Sequence, residues 1–289
     1  MIKKITTVLA AALLCMQGGA QAIQTDSLKP VTTLDEVIVV YNKWERKLNE
    51  VPSRISKIAI RDARLKNAQT MADLLGATGE VFIQKSQGGG GSPMIRGFAT
   101  NRILIVIDGV RMNNAIYRSG NIQNVISLDP LALADAEIIF GPGSLIYGSD
   151  AIGGVMDFHM LEPKFSSAKN KTIVKGSGLV RYATANTEKT AHADVNMGSD
   201  KFSFLSSFSF SGFGDTRMGI HGGDASYLRS QYVQRVNDKD SVFINTDPRV
   251  QKFSGYTQKN FINKIRFKPT DNLDIQYGFH YSVTGNIPR

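Results

Sequence analysis

Between Phe202 and Ser211 the chain reads FSFLSSFSFS. Successive side chains of a strand point to opposite faces. Phe202, Phe204, Phe208 and Phe210 therefore share one face, and Ser203, Leu205, Ser207, Ser209 and Ser211 the other. A row of phenylalanines at that spacing must meet either a second sheet or lipid. The same period recurs after Pro163. Ala191, Ala193, Val195 and Met197 alternate with His192, Asp194 and Asn196. Phe261, Ile265 and Phe267 alternate with Lys264, Arg266 and Lys268. Leu273, Ile275, Tyr277, Phe279 and Tyr281 alternate with Asp274, Gln276, Gly278, His280 and Ser282. Val174, Val180 and Tyr182 share a face of an earlier, glycine-loosened strand. Each segment approaches the ~9–11 residues of a tilted membrane strand. Gly198-Ser199-Asp200 and Thr270-Asp271-Asn272 read as tight turns, and about 212–255 as a long polar loop. Short turns at one end and a long loop at the other are the asymmetry of outer-membrane barrels. A soluble β-sandwich with one wet face is the alternative.

The N-terminus bears on that choice. Lys3 and Lys4 precede an apolar run from Ile5 to Met16, and Ala20-Gln21-Ala22 has the form of a cleavage site. Residues 1–22 read as a secretory signal peptide, far short of the ~20 apolar residues of a spanning helix. The single cysteine, Cys15, lies within this leader, so the mature chain has no thiol for a disulfide or a metal. The net charge of +9 falls to +7 once Lys3 and Lys4 are removed. For an exported chain this favours anionic lipid headgroups or an anionic ligand, and nucleic acid is not an expected partner. Five strands cannot close a barrel, since bacterial barrels start at about eight. The chain is expected to be the N-terminal part of a longer protein.

Residues 23–50 are polar except for LDEVIVV at 34–40, which reads as an edge strand or a docking segment for another sheet. Residues 51–163 mix α and β periods. Asn67 is placed to cap a short helix bearing Met71, Leu74 and Leu75 and ended by Gly76. Val81 to Gln84, Arg102 to Ile107 and Ala136 to Phe140 read as strands, and Asp129-Pro130 opens a short helical piece. The run QGGGGSPMIRG suggests a phosphate loop, but no lysine follows its glycines, and neither glycine cluster has dinucleotide spacing. His159, His192, His221 and His280 have no metal-ligand spacing and no nucleophile motif occurs, so no enzyme is expected.

MIRGF (94–98), ILIVIDGVRMN (103–113) and AEIIFGPGSLIYGSDAIGGVMDF (136–158) resemble the plug domain of TonB-dependent outer-membrane receptors, and LDEVIVV resembles the TonB box before it. The resemblance covers essentially the mature chain. It implies an α+β plug at 51–163, then the first strands, 164–289, of a barrel of about 22 antiparallel strands. It further implies import of a scarce metal chelate driven through TonB, with no permanent cofactor.

The residue roles follow from that family. Asp35, Glu36, Val37, Ile38, Val39 and Val40 would pair with TonB as an added strand. Gln87, Gly88, Gly89, Gly90, Gly91, Ser92, Tyr117 and Arg118 would face the ligand at the plug apex. His221, Tyr227 and Tyr232 would do so from the long outer loop. Arg96 and Glu137 would dock plug to barrel, and Arg111 has the same reading or solvent exposure. GVRMNNAIYRSG, YSVTGNIPR and YVQRVNDKDSV look like the subset that takes haem or haemoglobin. Tyr117 is then the nearest axial ligand and Arg118 a partner for a propionate. The apical loops lack the histidine of that subset. A ferric siderophore is the competing ligand, followed by cobalamin or an oligosaccharide; a non-transporting surface barrel is the reading outside transport.

Overall fold

The computed structural model describes residues 38–41, 44–47, 53–59, 65–85, 88–99, 102–112, 124–167, 171–219 and 225–285, all within one compact unit, Ile38–Arg289. Strands β1 (Ile38–Tyr41) and β2 (Trp44–Lys47) form an antiparallel hairpin.

The plug follows. Its strands are β3 (Ile55–Ala59), β4 (Phe82–Gln84), β5 (Ser92–Ile95), β6 (Phe98–Ala99), β7 (Ile103–Ile107), β8 (Val110–Arg111), β9 (Leu133–Phe140) and β10 (Gly154–Met160). Five of them make a sheet in the order β3-β9-β10-β7-β8, parallel only between β10 and β7. Strand β7, ILIVI, which lies between β10 and the short edge strand β8, is buried along its whole length, as a strand covered on both faces must be. One face packs Ile105, Ile138, Met156 and Phe158 against helix α1 (Met71–Gly76) through Met71, Leu74 and Leu75. The other packs Leu104, Ile139 and Val155 beneath Tyr147 of the short helix α2 (Ser144–Tyr147). Strands β4, β5 and β6 form a small separate sheet.

Two local expectations change. Thr70, not Asn67, caps α1: its hydroxyl accepts from the Asp73 N–H, and Asp73 in turn accepts from the Thr70 N–H. Asn67 instead turns the chain at φ 48°. The helical piece near Asp129 precedes it, as a 3-10 turn over Asn124–Ser127, because Pro130 holds the chain after Asp129 in a turn.

The remaining long strands are β11 (Ile173–Ala183), β12 (Glu188–Gly198), β13 (Phe202–Phe213), β18 (Tyr256–Thr270) and β19 (Leu273–Thr284), an antiparallel sheet in that order. We call this sheet the wall. Its period of two is clearest on β12, β13 and the first half of β18, while the edge strand β19 is exposed on both faces over most of its length. Glu188, Thr190, His192 and Asn196 point to the buried side, as do Ser203, Ser207 and Ser209. Val180, Met197, Phe208, Ile275, Tyr277 and Phe279 stand exposed on the opposite side. The buried side lies against the plug, where wall residue Ile262 joins the plug core. The stretch expected as plain loop, 212–255, carries strands of its own. Here β14 (Thr216–Arg217) pairs with β17 (Val250–Gln251), and β15 (Gln231–Val236) pairs with β16 (Lys239–Ile244). Asn237 and Asp238, both at positive φ, make the tight turn between β15 and β16. Among the described residues no helix is long and apolar enough to cross a membrane.

Candidate functional site

Plug and wall meet along a polar seam in three clusters. At the first, Glu188 is fully buried on β12. Arg181 donates to it at 2.7 Å and also to the Asn67 side chain and the Ala68 carbonyl, both at 3.1 Å. Gln69 of the plug donates to Glu188 at 2.5 Å and accepts from Asn186 at 3.1 Å. The carboxylate is thus shared between a wall arginine and the segment that leads into α1.

The second cluster centres on Asp129. Ser209 donates to it at 2.5 Å, and His192 Nδ1 lies 2.6 Å from the same hydroxyl. His192 Nε2 faces Asp194 at 3.4 Å. Burial pushes the Asp129 carboxyl above its ordinary value, although Ser209 and the Leu131 N–H oppose this.

The third is an ion cluster at the β7–β8 turn. Asp108 and Gly109 both adopt positive φ, which sets the tight turn and places Asp108 at its tip. Asp108 meets Lys264 at 2.8 Å and His280 at 3.1 Å, and accepts from the Met160 N–H at 2.9 Å. Lys264 is 1% exposed. Burial disfavours charge on Asp108, but His280 and the Lys264 ammonium outweigh it and hold the carboxyl below its ordinary value. A cavity of about 670 Å³ beside this cluster is lined by Asp108, Asp129, Lys264, Gln276, His280 and Ser282.

A further charged row crosses the plug sheet on the α2 side. Lys57, Glu137 and Asp157 are in cross-strand register, with Asp135 opposite His159. His159 Nδ1 lies 2.6 Å from Asp135, and that hydrogen bond, against burial, lifts the imidazole to about 9. Burial raises the Asp157 carboxyl. Asp135, Glu137 and His159 come within reach of a common metal ion. The Lys57 ammonium already sits 3.6 Å from Asp135 and 3.4 Å from Glu137. A metal would have to displace that ammonium and the proton on His159.

The glycine run is packed rather than open. Gly89, Gly90, Gly91 and Ser92 are buried, and Gly88 alone is exposed. A Cβ at Gly89 would overlap the ring of Tyr256, and one at Gly91 the side chain of Ile83. The expected ligand-facing surface over 89–92 is therefore an inward contact with the wall and with β4, and glycine is required by close approach. Ser92 is 1% exposed.

Arg96 and Glu137 also take other places than expected. Arg96, at φ 49°, lies over the Phe140 ring at 5.3 Å, and Glu137 pairs with Lys57. Both contacts are internal to the plug, as is the pairing of Arg111 with Asp150 at 3.0 Å. At the three clusters the plug side chains that reach the wall are those of Asn67, Gln69, Asp108 and Asp129. Tyr232 stacks on Phe243 at 5.6 Å and meets the edge of Phe253 at 5.5 Å, so its ring braces the β15–β16 hairpin. Tyr227 is exposed. Ile38, Val39 and Val40 lie in β1. Asp35, Glu36, Val37, Gln87, Tyr117, Arg118 and His221 lie outside the described residues.

Residues 47–155 match the TonB-dependent receptor plug domain family. Over 262 residues the chain is 30% identical to the vitamin B12 transporter BtuB of Vibrio vulnificus, a match that covers 89% of this chain. The chain spans 40% of that relative's length. Among solved structures, the copper transporter OprC superposes with a TM-score of 0.59 at 15% identity, covering 81% of this chain and 31% of OprC. The pyoverdine-bound receptor FpvA of Pseudomonas aeruginosa PAO1 superposes with a TM-score of 0.57 at 12% identity, covering 85% of this chain and 29% of FpvA. At those identities the likeness is one of fold.

Proposed function

The chain belongs to the TonB-dependent outer-membrane receptors, and from that premise we propose that it serves active import of a scarce metal chelate across the bacterial outer membrane. One observation carries the reading: a plug with its own apolar core meets lipid-facing strands chiefly through the three polar clusters of the seam, with Ile262 and Tyr256 as apolar contacts from the wall. Water can replace the polar contacts. The plug can then leave the wall with most of its core still covered, only the contact with Ile262 being lost, which a gated transporter needs and a static surface barrel does not.

In this reading Asp35 to Val40 receive the TonB strand from the periplasm, and force on that segment draws the plug from the seam. The chelate approaches from the outer loops, with Gly88, Tyr117, Arg118, His221 and Tyr227 as its candidate contacts. Haem is the first candidate ligand: Tyr117 or His221 would supply the axial atom and Arg118 would meet a propionate. Cobalamin is the second, favoured by the similarity to a vitamin B12 transporter. A ferric siderophore is the third.

The test uses the full-length receptor in its native membrane. Val37→Pro should abolish energised uptake of the ligand and leave its surface binding intact, since proline removes a backbone donor from the paired segment. Unchanged uptake would sink the reading. Titration with haemin and with cyanocobalamin then separates the ligands. A Soret shift lost in Tyr117→Ala or His221→Ala favours haem; no shift with haemin, together with saturable cyanocobalamin binding, favours cobalamin.

A further inference from the structure

The described end of the segment read as the TonB contact, Ile38 to Val40, is not a lone strand. Ile38 to Tyr41 is already paired, antiparallel and in register, with Trp44 to Lys47: Ile38 faces Lys47, Val39 faces Arg46, Val40 faces Glu45 and Tyr41 faces Trp44. Among the described residues no third strand joins this sheet. A strand has two hydrogen-bonding edges, so β2 occupies one edge of β1 and leaves the other. A two-stranded hairpin by itself is marginal in water, and a third strand is what stabilises such a sheet.

We propose that the docking element is the whole hairpin. The partner's strand adds to the free edge of β1 while β2 remains on the opposite edge as a backing strand, giving a three-stranded sheet. The partner is a periplasmic protein that presents an unpaired β-edge, and the inference rests on the TonB reading given above. Its physical basis is preorganisation. A strand added to a free segment must first order that segment's backbone, at an entropic cost for every residue fixed. A strand added to β1 meets a backbone that β2 already holds extended. On a single-strand reading, residues 44–47 have no part in binding. Here they act without touching the partner.

Two sets of variants test this, read as capture of TonB by the full-length receptor from solubilised membranes, with ligand binding as the control for folding. In the first, Glu45→Pro and Arg46→Pro are made separately. Neighbouring N–H groups in a strand point to opposite edges, so one of these prolines breaks the ladder to β1 and the other faces away. At least one should lower capture tenfold or more. Wild-type capture by both, or a gain by either, overturns the inference, a gain meaning that β2 competes for the edge. In the second, Val39→Cys with Arg46→Cys closes a disulfide across the directly opposed pair. Cys15, in the leader, is the only cysteine of residues 1–289, and any cysteine elsewhere in the full-length receptor is first changed to serine so that the bridge is unambiguous. The oxidised receptor should capture TonB within twofold of the reduced one. A tenfold loss on oxidation, restored by reductant, would show that β2 must leave and would overturn the backing role. Val39→Pro and Val40→Pro, made separately, separate the two levels: undiminished capture by both removes the TonB reading of β1 itself, whereas loss by either with normal capture by both β2 prolines removes only the hairpin inference.

Discussion

The plug and the wall solve the same problem with opposite sidedness. Phe158 of the plug is fully buried among Ile105, Ile138 and Met71, while Phe208 of the wall is 49% exposed on the outer face. The plug answers to water and turns its apolar side chains in; the wall answers to hydrocarbon and turns them out. Where the two meet, both present polar groups at three clusters, beside apolar contacts at Ile262 and Tyr256. The lesson concerns the seam. An apolar interface would be bound by the hydrophobic effect, whereas Glu188, Asp129 and Asp108 hold plug and wall with contacts that water can take over.

The comparison breaks most sharply under matched truncations. Phe158→Ala leaves a cavity in a close-packed core and should cost about 3–5 kcal/mol of plug stability. Phe208→Ala removes the same ring from a face that fluid lipid can refill, and should cost about 1 kcal/mol or less. Denaturant unfolding of the full-length receptor in micelles, with protease cleavage of the plug as the local readout, measures both. Equal costs would mean that the outer face of the wall packs against protein.

The seam itself is tested at Lys264. Lys264→Ala strands Asp108 in a buried site with only His280 and the Met160 N–H, and should cost about 3 kcal/mol. Lys264→Met combined with Asp108→Asn removes both charges and keeps an acceptor for the Met160 N–H. That pair should recover most of the loss. A double variant as unstable as Lys264→Ala would show that the seam holds by packing and not by charge pairing.

A third test contrasts the seam with the charged row inside the plug. His159 titrates near 9 in the folded chain against 6.5 for a free imidazole. Its folded value is raised, so its contribution is complete below pH 6.5 and is lost as pH rises through about 9. After allowance for its coupling to Asp135, that contribution is about 2 kcal/mol. The stability gap between wild type and His159→Gln should therefore shrink between pH 6.5 and 9.5. Histidines of the wall are common to both proteins and cancel in the difference. A gap that stays constant would mean that the proton on His159 contributes nothing.

Much of the wall is legible in the chain because lipid imposes one rule on every second residue, and FSFLSSFSFS obeys it without help from tertiary context. Lys264 and His280 alternate with the apolar row for the same reason, and the structure turns both toward Asp108. That partner is not legible, because Asp108 in an Asp-Gly pair looks complete as a turn and nothing local tells of a lysine 156 positions on. Arg96 and Glu137 mislead for the converse reason. A charge beside an apolar run demands a partner, but the demand does not say on which side of the seam that partner stands. Asn67 and Thr70 are both good caps, and only the reciprocal bond with Asp73 selects Thr70.

The glycine run shows how that limit arises and supplies the smallest effect. Four glycines announce freedom or close approach, and the chain alone does not distinguish them. The structure puts the Tyr256 ring where a Cβ of Gly89 would stand, with Phe213 stacked on that ring at 4.6 Å. Freedom and close approach predict opposite responses to Gly89→Ala. If the glycine serves mobility, alanine should slightly stabilise the chain by restricting its unfolded state. If it serves contact, alanine must push the Tyr256–Phe213 pair aside and should cost about 1–2 kcal/mol. The cost should then largely vanish in the background Tyr256→Ala, where the space is vacated. Because plug and wall supply one partner each, a non-additive double-mutant cycle at this pair would also report that the outer end of the seam is closed by shape, in contrast to the charge pairing at Lys264. Additive costs would return the run to a plain flexible loop.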